Sequence, residues 1–202
     1  MYLASNQGLI AAVRADDGAP VWLRTYARQA VNDGAAYARM LDARPYPCVV
    51  KESIIVVAPQ DSGEIFALDA ASGVTLWSRP LPAVDAHIEA VDDERVFLSG
   101  DRLWALDLAT GEIDPQWGEE LRNGAGQGAL AGDVLLWPTQ DAIVLIDRNT
   151  GNPVGTPINL PDPGGANLAV AAGADGKGQY IVAAGPKQLT VFRQKSSNPA
   201  SP

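Results

Sequence analysis

Residues 67–77 read Ala67-Leu68-Asp69-Ala70-Ala71-Ser72-Gly73-Val74-Thr75-Leu76-Trp77, and this stretch decides the fold. Ala67 and Leu68 end an apolar strand, Asp69 and Gly73 bracket a tight turn, and a second apolar strand closes on Trp77. In such a turn the Asp carboxylate accepts backbone N–H groups, and glycine supplies the positive φ. An indole at the end of the second strand has a large surface to bury and one N–H to satisfy. That suits it to wedge between packed layers and donate to a backbone carbonyl.

The stretch recurs. Ala12-Val13-Arg14-Ala15-Asp16-Asp17-Gly18, Ala105-Leu106-Asp107-Leu108-Ala109-Thr110-Gly111 and Leu145-Ile146-Asp147-Arg148-Asn149-Thr150-Gly151 align with it without gaps. Arg14 stands where the other copies have Asp, and Thr190-Val191-Phe192-Arg193 is a fifth copy without the glycine. The anchors at 14, 69, 107, 147 and 193 give a period of about 40 residues with one longer interval. That period accommodates four short strands and their turns, which is one propeller blade. Trp22 shares the offset of Trp77 from its anchor. Pro115 and Gly155 occupy that offset in the next two copies, with Trp117 two residues beyond Pro115, so the wedge is expected to weaken along the chain.

Each copy follows another apolar strand, such as Ile54-Ile55-Val56-Val57-Ala58, Arg95-Val96-Phe97-Leu98-Ser99 or Asp133-Val134-Leu135-Leu136-Trp137. Val, Ile and aromatics bounded by Gly, Asp and Asn mark hairpins. Cys48-Val49-Val50, Ala86-His87-Ile88-Glu89-Ala90, Gly126-Gln127-Gly128-Ala129-Leu130 and Asn167-Leu168-Ala169-Val170 are candidate blade-opening strands. The expected fold is all-β, with four-stranded antiparallel blades at about 1–24, 48–80, 84–118, 124–158 and 165–194. Residues 25–47 form an insertion, with a short helix over 27–40 stopped at 44–47, and 195–202 form a flexible tail. The first unit reads as the second to fourth strands of a blade and the last as the first to third. Roughly 18 strands make four to five blades. This favours an arc or segment of a larger propeller, completed by further sequence or another chain, over a five-bladed ring.

The chain has 202 residues, 47% apolar and 19% charged, so it can bury one substantial core and is not a disordered polymer. Its formal net charge of -9, with no Lys/Arg cluster, argues against binding nucleic acid or anionic lipid. No apolar run is long enough to span a bilayer, and the N-terminus does not read as a signal peptide. The lone Cys48 rules out an internal disulfide and is expected to be buried and apolar in role, while the lone His87 is expected to be hydrogen-bonded or on the surface.

The pattern resembles the quinoprotein-like (PQQ-like) β-propeller repeat, whose consensus is a strand, Ala-x-Asp-x-x-Thr-Gly, and an apolar strand ending in Trp. Residues 67–77 match it almost fully, 105–111 well, 145–151 fairly, and 12–22 apart from Arg14. The resemblance covers about residues 1–194. It implies blades held by a structural motif comprising Gly18, Trp22, Asp69, Gly73, Trp77, Asp107, Gly111, Asp147 and Gly151. Proteins with this repeat include quinone-dependent dehydrogenases and non-catalytic scaffolds such as the outer-membrane assembly lipoprotein. By that resemblance the compartment is extracytoplasmic if a signal peptide lies upstream.

In the dehydrogenases the quinone stacks between a Trp and a vicinal disulfide or another flat partner, beside calcium and a catalytic Asp. A single Cys forbids the disulfide, and Trp104 and Trp137, the candidate stacking residues, are equally explained as packing. Asp61, Glu64 and Asp85 are acids in blade turns; Asp92-Asp93-Glu94 has the charge to attract a cation weakly, but it lacks the alternating oxygen ligands of a calcium loop and reads as a solvated turn. Residues 118–128 are glycine-rich without the Lys-Ser/Thr of a phosphate loop, and read as a flexible connection. Catalytic, cofactor and metal residues are therefore expected to be none. The leading expectation is a non-enzymatic scaffold or structural subunit that binds protein partners, with homo- or hetero-oligomers open. The alternative is a fragment or relative of a quinone-dependent, calcium-containing dehydrogenase.

Overall fold

A computed structural model describes residues 1–5, 7–29, 48–83, 86–100, 102–118, 121–172 and 179–193. These residues form strands and turns, with no helix among them. The helix expected over 27–40 lies outside them except for its first three residues, which are not helical. Asp85, residues 173–178 and the tail expected at 195–202 also lie outside.

The chain divides into two compact units, Met1–Pro115 and Gln116–Pro202. In the first, β1 (Tyr2–Ala4), β2 (Leu9–Val13) and β3 (Pro20–Thr25) form a three-stranded antiparallel sheet. A four-stranded meander follows, from β4 (Val49–Lys51) through β5 (Ile54–Val57) and β6 (Glu64–Asp69) to β7 (Thr75–Pro80). The third sheet has β8 (His87–Val91), β9 (Arg95–Ser99) and β10 (Leu103–Asp107). Its fourth strand shrinks to the bridge between Leu106 and Ile113. Pro115 follows two residues later and has no N–H to continue the ladder.

The second unit opens with β11 (Gly126–Gln127), then β12 (Ala129–Ala131), β13 (Val134–Pro138), β14 (Ala142–Asp147) and β15 (Ile158–Asn159). β12 to β15 form a four-stranded meander. The last sheet contains β16 (Ala166–Ala172), β17 (Gln179–Ala184) and β18 (Leu189–Arg193). Its fourth member is β11, which pairs in parallel with β16 through Gly126↔Ala166 and Gln127↔Asn167. Within the stretch read as a flexible connection, Gly126 and Gln127 are therefore strand residues, in keeping with the candidate strand at 126–130. A Cβ at Gly126 would strike the Ala166 backbone, so glycine allows the two strands to approach this closely.

Alternation along the strands builds the cores. Ile10 of β2 packs with Ile55, Val57, Phe66 and Leu68 of the second sheet, joined by Tyr2, Ala4 and Trp22. The opposite face of that second sheet sends Val56, Ile65, Ala67 and Trp77 against Ile88, Val96, Leu98 and Leu106 of the third. In the second unit Leu136 and Ile143 pack with Ala166, Leu168 and Ala183.

Candidate functional site

The repeat turn is the best-defined local geometry. At Asp69, Oδ1 accepts the Ser72 N–H at 2.8 Å and its hydroxyl at 2.5 Å, and the Gly73 N–H donates to the Asp69 carbonyl at 2.8 Å. Asp107 repeats this with Thr110 and Gly111, and Asp147 with Thr150 and Gly151. The Ser72 hydroxyl and N–H hold the Asp69 carboxyl below its ordinary range, and the Thr150 N–H does so first for Asp147. At Arg14, Asp17 takes over: it accepts the Ala19 N–H and pairs with the Arg14 guanidinium, which lowers its own carboxyl.

Each turn offers a carbonyl one residue after its anchor and a glycine three residues later. Trp22 Nε1 donates to the Ala70 carbonyl at 3.0 Å and its ring lies over Gly73. Trp77 donates to Leu108 at 2.8 Å over Gly111. Trp117 donates to Arg148 at 2.8 Å over Gly151. A β-bulge at Ala12/Val13 and another at Ala67/Leu68 accompany Trp22 and Trp77, re-aiming them out of the regular pleat. The expected weakening does not occur as far as Trp117. Trp77 and Trp117 are both 6% exposed, whereas Trp22, the first, is only half-buried. Two extra residues beyond Pro115 restore the reach that the offset alone lacks. The fourth copy has Gly155 at the offset. A cavity of about 240 Å³ lined by Leu136, Leu145, Ile158, Ile181 and Phe192 lies in that unit.

A buried polar cluster was hidden in the sequence. Asp61 is wholly buried, accepting the Gly8 N–H at 3.1 Å and pairing with Arg28 Nε at 2.9 Å. The Tyr26 hydroxyl lies against both the Asp61 carboxylate and the Ser5 carbonyl. Burial first, and then the Asp61 carboxylate, push the Tyr26 phenol well above its ordinary range. The only sequence signal was an acid in a turn, and its partners stand far away along the chain. Asp92 likewise departs from a solvated turn: it is buried, and Oδ1 caps the Glu94 and Arg95 N–H groups at 2.8 and 2.6 Å. Its exposed neighbours Asp93 and Glu94 pair with Lys51 and Arg95.

His87 is buried on β8, with Nε2 3.3 Å from Glu89 Oε1. Cys48 is half-buried beside the first core, not fully buried, and burial pushes its thiol up to about 11. Trp104 lies inside its core under Arg102, and Trp137 is 1% exposed. Neither presents a free face for stacking. No group of three or more His, Cys, Asp and Glu gathers among the described residues. These residues do not fit a calcium–quinone site of the kind the repeat resemblance implies.

Short antiparallel sheets in sequence order, keyed by an indole in the next repeat's turn, define a β-propeller-type repeat protein. The model of the family described as outer membrane protein assembly factor BamB matches residues 6–198, and the chain belongs to that family. Among solved structures it is similar to BamB from Moraxella catarrhalis, at 20% identity and a TM-score of 0.63 over 95% of this chain and 54% of that one. It is similar also to the quinohemoprotein alcohol dehydrogenase ADHIIG from Pseudomonas putida HK5, at 17% identity and a TM-score of 0.62, covering 95% and 38%. The corresponding enzyme from Comamonas testosteroni matches at 16% identity and 0.59, covering 91% and 38%. No curated protein matches the chain. The chain spans about half the length of the Moraxella structure, and these similarities establish a propeller fold.

Proposed function

We propose that the chain is a non-enzymatic β-propeller scaffold or structural subunit that associates with protein partners. One observation carries this reading: the open face of the first sheet is apolar. Leu3, Ala11 and Leu23 form a cross-strand row there, and Leu3 and Leu23 are 47% and 63% exposed. A contiguous apolar sheet face favours association with another protein surface. The last sheet repeats the feature, with Ala169, Val182 and Val191 in register and Val191 exposed beside Leu189. Membership in a family described by outer-membrane assembly supports a partner-holding role.

The dehydrogenase alternative rests on fold similarity alone. Adding the pyrroloquinoline quinone and calcium to the purified chain, and following absorbance and dye reduction, separates the two. The scaffold reading expects no saturable quinone binding and no dye reduction. Saturable binding with turnover refutes it.

A further inference from the structure

The fourth repeat is the one complete copy with no tryptophan after its turn, yet the side chains that would surround an indole are present there. With the anchors Arg14 and Asp147 aligned, Leu136 of β13 and Leu145 of β14 correspond to Tyr2 and Ala12, the pair beside Trp22. With Asp69 and Arg193 aligned, Ile181 of β17 and Phe192 of β18 correspond to Ile55 and Leu68, members of the cluster against which Trp22 packs. The place of Trp22 itself falls to Gly155, where a Cβ would meet nothing within 4 Å. The surroundings respond accordingly. Ile55 and Leu68 are 0% exposed, whereas Ile181 and Phe192 are only half-buried.

Between Leu136, Leu145, Ile181 and Phe192 lies the cavity of about 240 Å³, with Val134 and Ile158 completing its apolar wall. Gln179 and Arg193 are the polar residues of its lining, and both are exposed. The Arg193 guanidinium lies over the Tyr180 ring, 5.9 Å from the centroid. Cross-strand partners share one face of a sheet, so Arg193 and Tyr180 point away from the face that carries Ile181 and Phe192. The cavity thus gives an ion no counter-charge and water few hydrogen bonds. An apolar molecule, by contrast, finds apolar contact on every wall.

Size and shape narrow the class of ligand. An apolar cavity of about 150 Å³ takes up one benzene, so one of about 240 Å³ has room for two fused rings. The walls belong to two packed sheets, and the corresponding gap beside Tyr2 holds a flat indole with ring centroids 6.1 Å apart. Phe192 supplies one wall with an aromatic ring for a planar molecule to pack on. We propose that this cavity is a binding site for a neutral, flat aromatic molecule of one or two rings, up to the size of indole. The ligand lies between Leu136 and Leu145 on one side and Ile181 and Phe192 on the other, with any polar edge toward Gln179. The inference goes beyond the scaffold reading and does not depend on it.

The probe is indole itself, titrated into the full chain with isotope-labelled isoleucine, leucine and valine methyl groups and followed by methyl correlation spectra. The expected result is saturable shifts at Leu136, Leu145 and Ile181, with a dissociation constant of about 0.01–1 mM and with Ile55 and Leu68 unmoved. Cyclohexanol, apolar but not flat, is expected to bind about fivefold more weakly or worse. Ala131→Leu and Ile158→Phe each add carbon atoms to the lining and are expected to weaken indole binding about tenfold or more. Thermal melts report that the variants fold, and where one fails to fold the other carries the test. Absence of saturation, equal shifts in both units, equal affinity for cyclohexanol, or indifference to the folded filling variant overturns the site. None of these outcomes bears on the scaffold reading, which quinone turnover tests.

Discussion

Alanine placed in turn at Gly18, Gly73, Gly111 and Gly151 separates two costs that the repeat turn combines. All four glycines have φ between +70 and +73, so the left-handed backbone charges each alanine alike, about 1 kcal/mol. The second cost is steric and differs. A Cβ at Gly111 would stand 2.5 Å from a Trp77 ring carbon, and one at Gly73 would stand 2.6 Å from Trp22. Forcing a side chain into such a site adds about 1–3 kcal/mol. Gly18→Ala should therefore cost about 1 kcal/mol and Gly111→Ala about 2–4 kcal/mol. Gly73→Ala should fall between them, because the half-buried Trp22 has room to slide toward solvent. Gly151→Ala should be at the upper end of its own unit, since its Cβ would strike the Gly118 backbone as well as Trp117. Urea unfolding followed by far-UV circular dichroism reads the shifts in midpoint. The decisive pair is Gly18 and Gly111, which share one compact unit. Equal losses for these two, within about 0.5 kcal/mol, would refute the claim that the indole sets the demand for glycine.

Trp77→Phe keeps a ring over Gly111 but removes the N–H that the buried Leu108 carbonyl receives at 2.8 Å, so a loss of about 1–3 kcal/mol is expected in the same unfolding assay. Trp22→Phe should lose less, because water can reach its half-buried site; a larger loss there than at Trp77 contradicts the docking geometry. The lowered carboxyls of Asp69 and Asp147 predict an acid limb in stability. A folded-state value below the unfolded one means fewer protons bound on folding. The contribution is thus present above the unfolded value of about 4 and is lost as pH falls through the folded value. Melting temperatures between neutral pH and pH 3 should fall less steeply for Asp147→Asn than for the unmodified chain, and identical slopes count against a charged turn acceptor.

The legible parts of this protein were those whose partners lie close in sequence. The turn at 69–73 closes on itself, with acceptor, donors and glycine all within five positions, so its residues announce it. The same holds for the alternation of strands such as Ile54–Val57 and Glu64–Asp69. Asp61 was illegible because its burial depends on Gly8, Tyr26 and Arg28, which lie in a different sheet or just beyond it. A turn acid met by itself carries no sign of partners so far away along the chain. The parallel pairing of β11 with β16 was equally hidden, since two residues flanked by glycine carry no periodicity.

Trp117 shows most clearly why counting residues misled. The offset from the anchor measures distance along a regular strand, and Pro115 interrupts the ladder after Asp114 donates to the Ala105 carbonyl. What the tryptophan must satisfy is an acceptor and a glycine in the turn that follows, and those stay in place whatever path the chain takes to them. An irregular strand can therefore reach the slot with two extra residues. Occupancy of a slot is accordingly a property of the acceptor turn and of any indole within reach, rather than of the offset. Applied to Gly18, that criterion identifies an acceptor turn complete in its own hydrogen bonds, with no described ring within 4 Å of the glycine's Cβ position.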